Sequence, residues 1–366
     1  MKKTWIMWLV LTGLLVFAGC SGGDDSGESG GVTVRLLTDT SGVDDKSYNA
    51  AAWRGILQYY GDTLENPARR GSLYDVVTPE KPDMYIPNIQ QATDEGYDLI
   101  ITTGFTFADA LTEVAEKHPE QKYMIVDVDW VELPNVLQAT FAEHEGSYLV
   151  GMAAALKALE DGIPNPRFGF IGGITGSTIT KFEVGFCQGV LSVIPNARID
   201  DYYVGNWDDT GSAKSQAKNW YDSGIYAIYS AAGGAGNGTI AQAKEYRRQG
   251  MNVWAIGVDS DQHDEGLYND TDSAVLTSML KMVESSVLYA LTAIENNSFT
   301  GETITFDLKV DGVGYADTNP ALSDSIKARL EEVKARIMAG EITVASTYAA
   351  AQQIPGFPRN LMAKDD

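Results

Sequence analysis

The stretch VRLLTDTSGVDDKSYNAAAWRGILQYY, residues 34–60, sets an apolar run, a polar loop and a helical pattern end to end. VRLLTD (34–39) is of strand length and closes on Asp39, whereas NAAAWRGILQYY (49–60) repeats its apolar residues at helical spacing. A strand whose carboxyl end feeds a loop and then a helix is the repeating unit of an α/β sheet. The same phrase recurs on both sides of the molecule's midpoint. DLIITTG (98–104), KYMIVD (122–127), NVLQATF (135–141), FGFIGG (168–173), YAIYSAAGG (226–234), NVWAIGVD (252–259) and AVLTSML (274–280) are near-continuous apolar runs separated by helical patterns. Runs of this kind suit parallel strands buried on both faces by helices. The expected fold class is therefore α/β with parallel sheets, and 366 residues suffice for two domains with separate cores.

The two ends of this pattern have a different character. MKKTWIMWLVLTGLLVFAGC (1–20) has a basic start, an apolar stretch and small residues before Cys20, which is the form of a secretory signal and is too short for a spanning helix. A cysteine directly after Ala-Gly resembles the bacterial lipoprotein processing box, with Phe17 in place of the usual leucine. Residues 1–19 are thus expected to be removed and Cys20 to carry lipid; a plain secretory signal with a chance cysteine is the alternative. SGGDDSGESGG (21–31) reads as a flexible tether. Residues 61–88 lack periodicity and read as a surface insertion, TGETITFDLKVDGVGY (300–315) reads as a hairpin, and 321–338 as a polar helix. A second sheet is expected to begin at Phe168.

Composition narrows the chemistry. With 27 basic and 50 acidic residues the net charge is −23, which opposes nucleic acid and anionic ligands and permits a neutral or cationic small molecule. Besides Cys20 only Cys187 remains, so no internal disulfide is available. His118, His144 and His263 have no metal-ligand spacing, and neither a metal nor a cofactor is expected. GGITGST (172–178) and AAGGAGNGT (231–239) lack the G-K-[ST] ending of a phosphate loop, and no nucleophile elbow or glycosidase carboxylate pair stands out, so the chain does not read as an enzyme.

In open α/β sheets ligands bind beyond the carboxyl ends of the strands. Asp39, Asp127 and Asp259 end three of the runs, and Gly104, Gly173 and Gly233–Gly234 end three more. A carboxylate there accepts hydrogen bonds from hydroxyls and amines, although a single such Asp is more often a helix cap. Tyr48, Phe182, Trp207 and Tyr229 lie in or beside these loops and offer faces for a flat ring.

These residues carry a family resemblance. TDTSGVDDKSYNAAAWRG (38–55) resembles the N-terminal motif of the basic membrane protein (BMP, PnrA-like) group of lipoproteins, the substrate-binding components of ABC transporters, many of which bind purine nucleosides. GFTFADALTEVAEKHPEQKYMIVD, QATFAEHEGSYLVGMAAAL, FGFIGG, FEVGFCQGV, AAGGAGNG and GVDSDQ follow as family blocks in the right order. The resemblance implies two Rossmann-like lobes closing on a ligand cleft, the type I periplasmic-binding-protein fold. It implies a first lobe of 32–142 plus about 260–310, a second of 143–259 plus about 311–350, and a tail of 351–366. Carried over by position, Asp39 and Asn49 contact the base, Tyr48 stacks on it where the family usually has Phe, and Asp127, Gly234, Asp259 and Lys281 face the ribose. Lys281 is expected to open the helix after AVLTSML. For the aromatic opposing Tyr48, Tyr229 ranks first, Phe182 next and Trp207 last, while Asp44 and Asp45 shape the loop. The implied partners are adenosine, guanosine or inosine, an ABC permease and ATPase, and a membrane reached through the N-terminal lipid. A sugar or other polar metabolite in the same fold, a sensory receptor, and an extracytoplasmic enzyme such as a nucleoside hydrolase are the competing readings.

Overall fold

A computed structural model describes residues 31–359 and 361 of the chain. The expected signal segment 1–19, the expected lipid site Cys20 and nearly all of the expected tether lie outside the described residues, as do 362–366 of the tail.

The first part of the chain runs β1 (Val34–Leu37), α1 (Tyr48–Tyr60), β2 (Tyr74–Val77), α2 (Tyr85–Asp94), β3 (Leu99–Thr103), α3 (Ala108–Lys117), β4 (Tyr123–Val126) and β5 (Val136–Phe141). It continues with α4 (Glu143–Glu160), β6 (Arg167–Gly172), α5 (Ser177–Val193), β7 (Arg198–Tyr203), α6 (Thr210–Asp222), β8 (Ile225–Ala231), α7 (Asn237–Arg248), β9 (Trp254–Asp259) and β10 (Val275–Lys281). The last part is α8 (Val283–Glu295), β11 (Thr303–Phe306), β12 (Val313–Tyr315) and α9 (Asp324–Met338). Two six-stranded sheets result, ordered β2-β1-β3-β4-β5-β11 and β7-β6-β8-β9-β10-β12. The two orders match strand for strand. All pairings are parallel except β12 against β10. The fold is α/β with two Rossmann-like lobes, of the type I periplasmic-binding-protein kind.

Three expectations from the sequence need correction. Residues 61–88 are not an insertion: they hold β2, parallel to β1 at the sheet edge, and lead into α2. Its half-exposed sequence YDVV hides the strand, as RIDDYY hides β7 at the edge of the second sheet. The segment 300–315 is not a hairpin, because β11 extends the first sheet beside β5 whereas β12 joins β10 in the second. The return to the first lobe expected at about 260 falls later, since β10 pairs with β9 and only α8 packs back on α1.

The chain therefore crosses between lobes three times: before α4, which packs on α5 and β10; before α8; and between β11 and β12. The three crossings touch. Ala142 N–H donates to the Phe306 carbonyl (3.0 Å) and Met282 N–H to the Gly312 carbonyl (2.9 Å). Helices α4 and α5 approach closely through glycines; a Cβ on Gly189 would stand 2.0 Å from the Tyr148 carbonyl oxygen and one on Gly185 2.3 Å from that of His144. Cys187, between them, is fully buried.

Candidate functional site

In each sheet the strand order reverses beside its first strand, between β1 and β3 and between β6 and β8. The loops beyond those carboxyl ends face each other across the cleft, the expected ligand position in such sheets. Asp127 directly follows β4 and Asp259 ends β9, the fourth strands of their lobes. Both adopt left-handed backbone conformations, with φ of 69° and 65°. That conformation is uncommon outside glycine but is tolerated by Asp, and here it occurs twice at matching places.

One cavity lies between the lobes, with about 510 Å³ of empty space that includes its open mouth. Asp39, Tyr48, Phe105, Thr106 and Asp127 line it from the first lobe; Phe182, Trp207, Gly233, Asp259 and Lys281 line it from the second. Phe105 and Trp207 meet edge to face across the cleft, ring centroids 5.9 Å apart. The Tyr48 and Thr106 hydroxyls are buried without a well-formed hydrogen bond among the described residues.

Lys281 sets the electrostatics. It is 1 % exposed, and its ammonium donates to both Asp127 carboxylate oxygens at 2.6 and 2.7 Å and pairs with Glu143 Oε1 at 3.0 Å. It also stands about 5 Å above the rings of Tyr48, Phe141 and Phe182. Burial alone would lower its pKa, but the Asp127, Glu143 and Asp259 carboxylates hold it above the ordinary lysine value. Burial pushes Asp259 up to about 7, against the pull of Lys281 and of the Ser47 hydroxyl, which donates to its Oδ2 at 2.6 Å. Burial likewise pushes Asp39 up to about 6, although Ser41 N–H and Asn49 Nδ2 donate to its Oδ1.

The loop 42–49 is the first lobe's contact face. Beside the Ser47–Asp259 bond, the Asp45 carbonyl accepts from Asn237 Nδ2 (2.9 Å) and the Lys46 carbonyl from Gln262 Nε2 (3.1 Å). Just upstream, the Ser41 hydroxyl donates to the Trp207 carbonyl (3.0 Å). Asp45 accepts the N–H groups of Ser47, Asn49 and Ala50, capping α1, while Asp44 is exposed.

Of the residues singled out from the sequence, the structure gathers Asp39, Tyr48, Asp127, Phe182, Asp259 and Lys281 on the cavity wall. Asn49 stands behind Asp39, donating to it and accepting from the Thr103 hydroxyl (2.6 Å). Gly234 packs against Trp207 and Ser41 at the lobe contact, and the cavity is lined by its neighbour Gly233. Tyr229 is not a cavity aromatic: it is fully buried, surrounded by Phe170, Phe182 and Phe186, with its hydroxyl on Ser147. Lys281 ends β10 and does not open the helix, which begins at Val283. Phe105, Thr106 and Glu143 were missed. Phe105 follows the glycine after β3, and Glu143 lies two residues beyond the end of β5, where it opens α4. Among the described residues no group of three or more His, Cys, Asp or Glu could hold a metal ion, and no helix is long and apolar enough to cross a membrane.

Comparison with known proteins agrees with this architecture. Residues 32–347 match the family described as "Bmp: ABC transporter substrate-binding protein PnrA-like". The chain is 36% identical over 350 residues to the "ABC transporter nucleoside-binding protein BmpA" of Lactococcus lactis, covering 92% of this chain and 97% of that one. It is 35% identical over 359 residues to the "CD4+ T-cell-stimulating antigen" of Listeria innocua (94% and 98% covered), and 30% over 346 to "Basic membrane protein A" of Borreliella burgdorferi (93% and 95%). Among solved structures, a solute-binding protein of an ABC transporter system from Aeropyrum pernix superposes with a TM-score of 0.75 at 24% identity, covering 88% of this chain and 96% of that one. The last likeness speaks to the fold; the family match and the closer relatives speak to descent, and the chain belongs to the PnrA-like family of ABC transporter substrate-binding proteins.

Proposed function

We propose that the protein is a lipid-anchored extracytoplasmic receptor that holds a purine nucleoside between its lobes and passes it to an ABC permease and ATPase. The observation that carries this reading is a single cavity offering aromatic faces from both lobes together with buried carboxylates. A base lies on Tyr48, with Phe105, Phe182 or Trp207 on its other side, and Asp39 accepts from its edge. Stacking of this kind contributes roughly 1–3 kcal/mol per base and needs no charge. Asp127, Asp259 and Lys281 take the ribose hydroxyls. The one lysine is already neutralised by Asp127 and Glu143, so a phosphate finds no cation to balance it and nucleotides are rejected. The relative from Lactococcus lactis named as nucleoside-binding supports the same ligand class.

The test is a melting-curve panel on the mature protein with adenosine, guanosine, inosine and ribose. One or more nucleosides should raise the transition while ribose alone does little, and Tyr48→Ala should weaken nucleoside binding about tenfold to a hundredfold. A panel without any shift overturns the ligand assignment; equal response of wild type and Tyr48→Ala overturns base stacking and favours a hydroxyl-reading sugar site. Recovery of intact nucleoside after prolonged incubation is expected, and its cleavage would make the protein a hydrolase. Anchoring rests on Cys20: Cys20→Ser should move the protein from the membrane to the soluble fraction.

A further inference from the structure

Glu143 lies outside the cavity lining, yet it is 1 % exposed and ionically tied in two directions. Its Oε1 stands 3.0 Å from Lys281 Nζ and its Oε2 3.4 Å from Lys181 Nζ. Burial alone would raise its pKa, but the two lysines outweigh burial and hold it below the ordinary glutamate value. It opens the first turn of α4, where the helix dipole also favours a carboxylate.

Its place in the topology gives the ion pair its significance. Glu143 follows the first crossing between lobes and Lys281 precedes the second. Two residues on, Glu145 Oε2 accepts the N–H of Leu308 (3.0 Å) in the third crossing. One helical turn thus binds the other two crossings, the third through a backbone amide and the second through the lysine that lines the cavity. Lys281 has three N–H donors. Two are spent on Asp127, and Glu143 is held by charge at 3.0 Å without a well-formed hydrogen bond, while Asp259 is the remaining carboxylate that attracts it. Without the Glu143 charge the ammonium is free to lean toward Asp259, and the Asp127–Lys281 geometry at the cavity wall relaxes.

We infer that Glu143 is a positioning residue for ligand binding: acting through Lys281, it fixes the cationic side of the site and ties its occupancy to the crossings about which the lobes move. This inference rests on the nucleoside reading above and goes beyond it by adding a residue that touches no ligand.

The experiment measures dissociation constants for adenosine, guanosine and inosine by calorimetry, beside the melting temperature of the free protein, for wild type, Glu143→Gln and Glu145→Gln. Glu143→Gln keeps the shape and removes the charge, and should weaken binding of the wild type's preferred nucleoside by about tenfold or more. Glu145→Gln can still accept from Leu308, so it should bind within about twofold of wild type. A purely structural role for Glu143 would instead lower the melting temperature and leave the dissociation constant of the folded protein at the wild-type value, which overturns the inference. Should Glu143→Gln fail to fold, Glu143→Asp carries the test: it retains the charge but withdraws it by one methylene. Weaker binding supports positioning, and wild-type affinity overturns it. If wild type itself binds no nucleoside, the functional reading falls and takes this inference with it; if wild type binds and the Glu143 variants bind equally well, only this inference falls.

Discussion

Asp259 is buried at the cavity wall in a left-handed conformation, and burial pushes its carboxyl up to about 7 from an ordinary value of 3.8. The folded form therefore holds a proton on this group that the unfolded form has released between those two values. Stability must fall as pH rises through that window, with the penalty complete above about pH 7 and absent below about pH 4. Asp259→Asn should accordingly stabilise the free protein at pH 8 by on the order of 4 kcal/mol, with the gain fading by pH 4. Denaturant unfolding at the two pH values checks this; an equal difference at both would place the effect elsewhere. The strand-end carboxylates were legible in the sequence because position past a strand's carboxyl end is a property of chain order alone. Tyr229 was misread for the converse reason. It lies within β8, where alternate side chains point to the sheet faces, and its ring goes to the helix layer of α4 and α5.

At the scale of elements, the pair α4–α5 departs most from what periodicity shows. Both helices were evident, but nothing in a hydrophobic pattern announces that they touch backbone to backbone at Gly185 and Gly189. Alanine raises helix propensity by up to about 1 kcal/mol over glycine. Here that gain is outweighed, because the Cβ at position 189 meets a carbonyl oxygen of the facing helix, an atom that no rotamer change can move. Gly189→Ala should lower unfolding free energy by about 1–3 kcal/mol, measured by denaturant titration. An unchanged or raised midpoint would mean that the helices separate freely. The interior strands were readable as apolar runs, whereas β2, β7, β11 and β12 each stand at a sheet edge. Edge strands are half-solvated and carry polar residues, so their runs look like loop or hairpin.

Across the whole molecule, the two matching sheets and three crossings make lobe closure the expected response to ligand. The lobe contacts are mostly single hydrogen bonds to backbone carbonyls, a clasp that one side chain can weaken. Asn237→Ala removes the bond to the Asp45 carbonyl and leaves the cavity wall intact. It should raise the nucleoside dissociation constant about fivefold, the equivalent of one hydrogen bond, and chiefly through faster release. Stopped-flow kinetics separate the two rates; a slower association with unchanged release would contradict the clasp. The two-lobed plan was legible in the repeated strand–loop–helix phrase, but the interlocking of the crossings was not, since it joins residues as far apart as Glu145 and Leu308.

The solitary buried thiol has a practical corollary. From Val32 onward Cys187 is the only cysteine, and enclosure both hides it and pushes its thiol far above the usual range. A maleimide dye added to a truncated, unlipidated protein would therefore find nothing to attack in the native fold. One cysteine introduced at exposed Asp208, next to Trp207 at the cleft mouth, would become the unique labelling point, turning the receptor into a reagentless optical sensor for whatever fills its cavity.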